Sequence, residues 1–248
     1  MPFDTAVVMP LLVRKLASIY PLTNAERQAV VDLPMRIQEI QADQDIVREG
    51  DRPLRCCLIL EGFAFRYKMA GEDGRRQIMA FHIPGDMPDL LSLQIPIMDN
   101  SIGTLTACKV AFVDHQLVRE LIRRHPQIGD ALWRDTLIDA AIGREWLVGV
   151  GRRTAYTRVA HLVCELFRRM QAVGLADGMS ICLPLTQATI ADALGLSTVH
   201  VNRVLQQLKG KGLMTWRRGV LKVHDQEKLE REGEFDPTYL HIIQNKVA

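Results

Sequence analysis

Ser197, Thr198, His200, Asn202 and Arg203 fall within seven consecutive positions of the stretch TQATIADALGLSTVHVNRVLQQL, residues 186–208. Their side chains are hydrogen-bond donors and acceptors of the kinds that meet base edges and phosphate oxygens. Such groups read nothing unless a scaffold holds them outward, and the flanking spacing supplies one. Ile190, Leu194, Leu196, Val201 and Val204 fall where two crossed helices bury apolar side chains, and Ala191 is small where the helices would touch. Gly195 falls at the turn between them, where a positive φ costs a glycine nothing. The window predicts a helix-turn-helix whose second helix presents its start to DNA. A plain helical hairpin inside a core would explain the apolar spacing but not the polar cluster.

Charge agrees with that placement. The sequence has 248 residues and a net charge of +2. Residues 152–225 hold 11 Lys and Arg against 4 Asp and Glu, a local +7, whereas residues 1–151 hold 17 against 20. A basic excess confined to the segment that carries the motif is what phosphate neutralisation requires. With 48% hydrophobic and 24% charged residues, the composition is that of a globular protein of one or two domains. No apolar run is long enough to cross a bilayer. The N-terminal MPFDTAVVMPLLVRK places its acid before its basic pair, the reverse of a signal peptide. A cytoplasmic protein with no membrane partner is therefore expected. Cys56, Cys57, Cys108, Cys164 and Cys182 show no CxxC or Cys/His metal spacing and read as buried, reduced thiols. The adjacent Cys56 and Cys57 would face opposite ways on a strand.

Three sections must position the motif. Residues 1–125 are expected to form a sensor or effector domain. It opens with helix over 4–34, where Thr23 can cap and Glu26 follows three places on. From Met35 to Asp114 short strands alternate with glycine turns at Gly50-Asp51, Glu61-Gly62 and GEDGRR, the rhythm of an antiparallel sandwich or barrel. Helix returns at Val118 and breaks at Pro126. Residues 126–150 read as one long helix on which Leu132, Thr136, Ala140, Gly143, Leu147 and Val150 recur at three- and four-residue intervals, widened by Trp133, Leu137 and Trp146. That stripe suits helix–helix contact and is read as a homodimer seam. Residues 151–248 hold an amphipathic helix, TAYTRVAHLVCELFRRM, a short strand, ICLPL, the motif, and KGKGLMTWRRGVLKVHD as a β-hairpin wing turning at Arg217-Arg218-Gly219. The fold class is α+β: an N-terminal antiparallel β-roll, a long dimerisation helix and a C-terminal winged helix-turn-helix.

Through the roll glycines of VREGD, LILEGFAFRY and IPGDM, and above all through LTQATIADALGLSTVHVNRVLQQLKGKGLMTWRRG, the chain resembles the Crp/Fnr family of bacterial transcription regulators over about residues 10–230. The resemblance implies that the roll is a jelly roll like the cyclic-nucleotide-binding domain. It also implies sequence-specific binding of double-stranded DNA by a homodimer, on a palindromic operator, under control of a signal at the roll. RNA polymerase would be a further partner if the protein activates. The family places an arginine one turn into the second helix to contact guanine, and Arg203 stands there. Family members often place a glutamate four residues earlier to accept from cytosine. Here that position is Val199, which can meet a thymine methyl and cannot accept a hydrogen bond. Thr198 and Asn202 occupy the other base-reading places. Gln187, Ser197, His200, Lys209, Lys211, Arg217 and Arg218 are assigned to phosphate or mixed contacts, which position the protein without specifying sequence.

The effector side departs from two subtypes of that family. The cyclic-nucleotide branch pairs a Gly-Glu turn with a later Arg-Ser/Thr-Ala segment whose arginine neutralises the cyclic phosphate. This chain has Gly85-Asp86-Met87, then Asn100-Ser101-Ile102-Gly103-Thr104, and Gly143-Arg144 near where a Thr-Ser pair would contact the base. A partly buried phosphate without its counter-charge is unfavourable, so cyclic AMP is not expected. The oxygen-sensing branch carries a cysteine cluster before the roll to hold an iron–sulfur centre. The first cysteine here is Cys56, inside the roll, so that cofactor is not expected either. Gly85, Asp86, Met87, Ser101, Thr104 and Arg144 stand as the candidate pocket for an unidentified small effector. The competing reading is a cupin-like β-roll metalloenzyme, which needs clustered ligands, and His82 stands alone on its strand. No Ser/His/Asp set or phosphate-cradling glycine loop stands out, so neither a catalytic residue nor a metal is expected.

Overall fold

The computed structural model describes residues 10–72 and 74–243. It opens with α1 (Pro10–Ile19) and α2 (Asn24–Val31). Thr23 caps α2 as its spacing predicts: Thr23 Oγ1 accepts from Glu26 N at 3.3 Å, and the Glu26 carboxylate accepts from Thr23 N at 2.7 Å. Two backbone donors that α2 cannot satisfy are thereby paired. Residues 4–9 of the expected helix lie outside the described residues.

The roll is built from β1 (Arg36–Ile40), β2 (Asp45–Val47), β3 (Arg55–Glu61), β4 (Ala64–Ala70), β5 (Arg75–His82), β6 (Ser101–Thr104) and β7 (Cys108–Asp114). They form two sheets, ordered β1-β7-β3 and β2-β6-β4-β5. Every residue from Cys56 to Leu60 is buried, because β3 is covered on both faces. Cys56, Leu58 and Leu60 pack with Leu12 and Leu16 of α1, while Cys57 and Ile59 pack with Val47, Ile102, Val110 and Phe112 between the sheets. The two neighbouring cysteines do face opposite ways, as the period of a strand requires. β6 and β7, though consecutive in the chain, join different sheets. Gly62 at the predicted turn has φ +86, and a Cβ there would lie 2.4 Å from the Ala107 carbonyl oxygen, so only glycine fits.

Helix α3 (His115–Arg124) starts three residues before the expected Val118. It is followed by α4 (Pro126–Arg152), whose 27 residues span about 40 Å. Pro126 opens α4, where a missing N–H costs nothing. Beyond it come α5 (Ala155–Ala172), β8 (Ala176–Asp177), β9 (Ser180–Cys182), α6 (Gln187–Leu194), α7 (Thr198–Gly210), β10 (Met214–Arg217), β11 (Val220–Val223) and α8 (Gln226–Glu232). The third sheet runs β10-β11-β9-β8. By contacts the chain divides into one compact unit that includes the segment up to Lys68 and Phe81–Asp139, and a second of Met69–Ala80 with Ala140–His241.

The stripe on α4 needs correction. Leu132 is 6% exposed and belongs to the core beside β3, and Thr136 is half-buried with its hydroxyl donating to Leu132 O at 3.1 Å. Trp146 is buried too, its Nε1 donating to Glu165 Oε2 at 2.9 Å. The exposed face instead carries Trp133 (62%), Leu137 (49%), Leu147 (73%), Val148 (47%) and Val150 (48%), with Ala140 and Gly143 among them. Three- and four-residue intervals fit two adjacent faces of one helix, and only packing decides which face turns inward. The outward apolar stripe exists, rotated from the sequence-based expectation at its N-terminal end.

Candidate nucleic-acid interface

The geometry of α6 and α7 follows from their caps. Thr186 Oγ1 accepts from Thr189 N at 3.1 Å to start α6, and Ser197 Oγ accepts from His200 N at 3.2 Å to start α7. Between them Gly195 adopts φ 62°, ψ 43° and donates its N–H to Ala191 O. That left-handed cap ends α6 and lets the chain turn. Ile190, Ala191, Leu194, Val201, Val204 and Leu208 are buried, and Leu196 is half-buried. The opposite side of α7 presents Thr198, Val199, His200, Asn202, Arg203 and Gln206 to solvent. Among the described residues, the side chains of Thr198, Asn202 and Arg203 form no hydrogen bond or ion pair. All four residues predicted to read bases therefore share one open face.

The wing forms as expected. β10 and β11 pair antiparallel with Arg217 opposite Val220, and the turn residues Arg218 and Gly219 have φ +51 and +77. Two successive positive φ values give the hairpin turn whose twist matches its strands. A notch of about 330 Å³ opens between wing and helices, lined among others by Thr186, Gln187, Gln206, Lys209, Arg217 and Arg218. Three cations and three hydrogen-bonding side chains around one concavity suit a phosphate backbone. Thr186 and Gln206 were missed by sequence reasoning. Gln206 was findable, since it lies three and four residues after Arg203 and Asn202 on the same helical face.

Lys211 already has partners within the chain. Its Nζ lies 3.0 Å from each Glu232 carboxylate oxygen and 4.5 Å over the Tyr156 ring. The ammonium holds the Glu232 carboxyl below the usual carboxylate range. Lys211 is thus a tie between α7 and α8 with its charge already compensated, unlike Lys209.

The roll residues proposed as an effector pocket turn out to be engaged by their own fold. Asp86 accepts from Ile83 N at 2.9 Å and pairs with Lys15 Nζ at 2.8 Å, and Lys15 also lies 3.4 Å from Asp135. Gly85 has φ +101 and donates to Ile59 O at 2.8 Å, while Met87 is buried in the core with Leu90. Ser101 Oγ accepts from Glu49 N at 3.0 Å. Thr104 Oγ1 accepts from Gln44 N at 3.0 Å and donates to Gln41 O at 2.6 Å. Arg144 is exposed on α4. Nearby, Asp89 is fully buried, accepts from Cys57 N at 2.8 Å, and is pushed by burial up to about 6. His115 has Nε2 2.9 Å from Ser92 Oγ, and burial lowers its pKa. Four cysteines are buried, but Cys182 is exposed, because it alternates with the buried Ile181 on a two-faced strand.

Comparison with known proteins bears on both parts of the chain. Residues 37–125 match the cyclic nucleotide-binding domain, and residues 157–232 match the Crp-like helix-turn-helix domain. The transcriptional activator protein FnrL of Cereibacter sphaeroides is 27% identical over 216 residues, covering 85% of this chain and 86% of that protein. The nitrogen fixation regulation protein FixK of Bradyrhizobium diazoefficiens is 28% identical over 220 residues, covering 88% and 90%. The solved structure of FixK2 from Bradyrhizobium japonicum superposes with a TM-score of 0.71 at 26% identity, over 80% of this chain and 97% of that one.

Proposed function

The chain belongs to the Crp/Fnr family of transcription regulators, and from that premise we propose that it acts in the cytoplasm as a homodimer on a palindromic operator. One α7 helix would enter the major groove of each half-site, with half-site centres about one helical turn apart. The observation that carries this reading is the division of α7 into a buried face, Val201, Val204 and Leu208, and an open face holding Thr198, Val199, Asn202 and Arg203. Gln187, Ser197, His200, Lys209, Arg217 and Arg218 are the backbone-contacting set. The outward stripe of Trp133, Leu137, Leu147 and Val148 supports pairing through α4, since an apolar stripe of that length is unfavourable in water. If the protein activates, RNA polymerase is its further partner.

The roll is read as the receiver of an unidentified small effector, with neither cyclic AMP nor an iron–sulfur cluster as cofactor. The absence of an arginine from Asn100–Thr104 and the burial of Cys56 within β3 support that reading. A thermal-shift screen of metabolites, nucleotides and haem would identify the effector by a rise in melting temperature. Sedimentation with an operator duplex tests the dimer. Two chains per duplex are expected, and Leu147→Glu on the exposed stripe should yield folded monomer with weakened operator binding. A Leu147→Glu chain that still sediments as a dimer would overturn pairing through this face.

A further inference from the structure

Val199 is the one large apolar side chain on the open face of α7, and it is 69% exposed. Every other member of that face is polar or charged. Its neighbours on the face are Asn202 and Arg203, one turn further along the helix. A β-branched side chain has few rotamers to lose, which keeps the ordering cost on contact small. The side chain offers no donor and no acceptor. The floor of the major groove has hydrogen-bonding groups on every base and an apolar group only on thymine, its 5-methyl. Polar base edges facing Val199 would lose water without gaining a partner, which is unfavourable.

Resting on the DNA-reading function above, we propose that Val199 is a methyl reader that specifies thymine in each half-site, within a base pair or two of the guanine contacted by Arg203. Specificity at this position comes from burying a methyl and from rejecting bases that present polar groups alone. Arg203 and Asn202 read hydrogen bonds, whereas Val199 reads shape and hydrophobicity. Its contribution is therefore insensitive to salt, unlike the backbone contacts.

The test replaces each thymine of a selected operator, one position at a time, with uracil, which lacks the methyl and keeps the same hydrogen-bonding edge. Binding of the full-length protein is read by fluorescence anisotropy at fixed salt. One symmetric position should weaken binding about fourfold per half-site, and about 15-fold when both halves are replaced. At that position 5-bromouracil, with a methyl-sized bromine, should restore affinity. Val199→Ala should bind the thymine and uracil duplexes alike, and Val199→Glu should move the preference there toward cytosine, whose amino group a carboxylate accepts. Val199 lies outside the core, and unchanged thermal melts of the variants would confirm that the fold is intact. The proposal is overturned if no thymine replacement matters, or if Val199→Ala keeps the same thymine preference. An operator that tolerates uracil throughout yet still depends on Arg203 would remove the methyl reading alone. If no operator is bound in an Arg203-dependent way, the DNA-reading function itself fails.

Discussion

The open face of α7 and the loop around Asp86 are both rich in polar side chains, yet they use them in opposite ways. Thr198, Asn202 and Arg203 carry donors and acceptors with no partner among the described residues. Asp86, Ser101 and Thr104 have partners within hydrogen-bond distance inside the roll. Sequence position alone nominated both sets as binding sites. What separates them is satisfaction: a polar group already paired in the folded chain holds the fold, and an outward group left unpaired is available to a ligand. DNA reading and roll architecture should therefore respond to mutation through different observables.

The largest effect is expected at the roll. Lys15→Met leaves Asp86 buried without its ammonium partner, and should lower unfolding free energy by about 3–5 kcal/mol, measured by urea denaturation. Base preference of the protein that remains folded should not change. A shift in preference would show that the Asp86 loop takes part in reading. Asp89 gives the next effect, of about 3 kcal/mol at full ionisation, from a folded pKa of about 6 against an ordinary 3.8. A carboxyl raised in the fold stabilises it when protonated, so its contribution is lost as pH climbs from about 4 through 6. Asp89→Asn should gain stability relative to the parent chain across that window and run parallel to it above pH 7. A pH-independent difference would contradict the buried, protonated carboxyl.

On the α7 side the expected effects are smaller and of another kind. Arg203→Ala should cost roughly 1–3 kcal/mol of discrimination at one base pair while leaving the melting temperature unchanged. Equal loss on every sequence would make Arg203 a phosphate contact. The subtlest contrast lies between two lysines two residues apart. Lys209→Ala should lower the slope of log affinity against log salt by about 1, and Lys211→Ala should leave it unaltered, because Glu232 already compensates that ammonium. Matching slopes for the two variants would erase the distinction between an open and a paired cation.

Local rules explain what was legible in the sequence. The Thr23–Glu26 capping box, the Gly195 turn and the Arg218-Gly219 wing turn each follow from residues within four positions of one another, and all three form as read. The opposite facing of Cys56 and Cys57 was likewise fixed by a two-residue period. Partners distant in sequence were not legible. Lys15 and Asp86 are 71 positions apart, and nothing local to Asp86 announces the ammonium that pairs with its carboxylate. Lys211 looked like its neighbour Lys209 until α8 brought Glu232 against it. On α4 the periodic pattern located a stripe, but Leu132 could be turned inward only by the packing of the roll core, which no single helix encodes.

Selection of bound duplexes from a random library, run in parallel with the parent chain and Arg203→Ala, tests most directly the claim that paired α7 helices read DNA. The parent chain is expected to enrich a palindrome, with half-sites about one helical turn apart and one symmetric guanine position that relaxes in Arg203→Ala. Failure of the parent chain to enrich any palindrome, under any effector that raises its melting temperature, would contradict that claim.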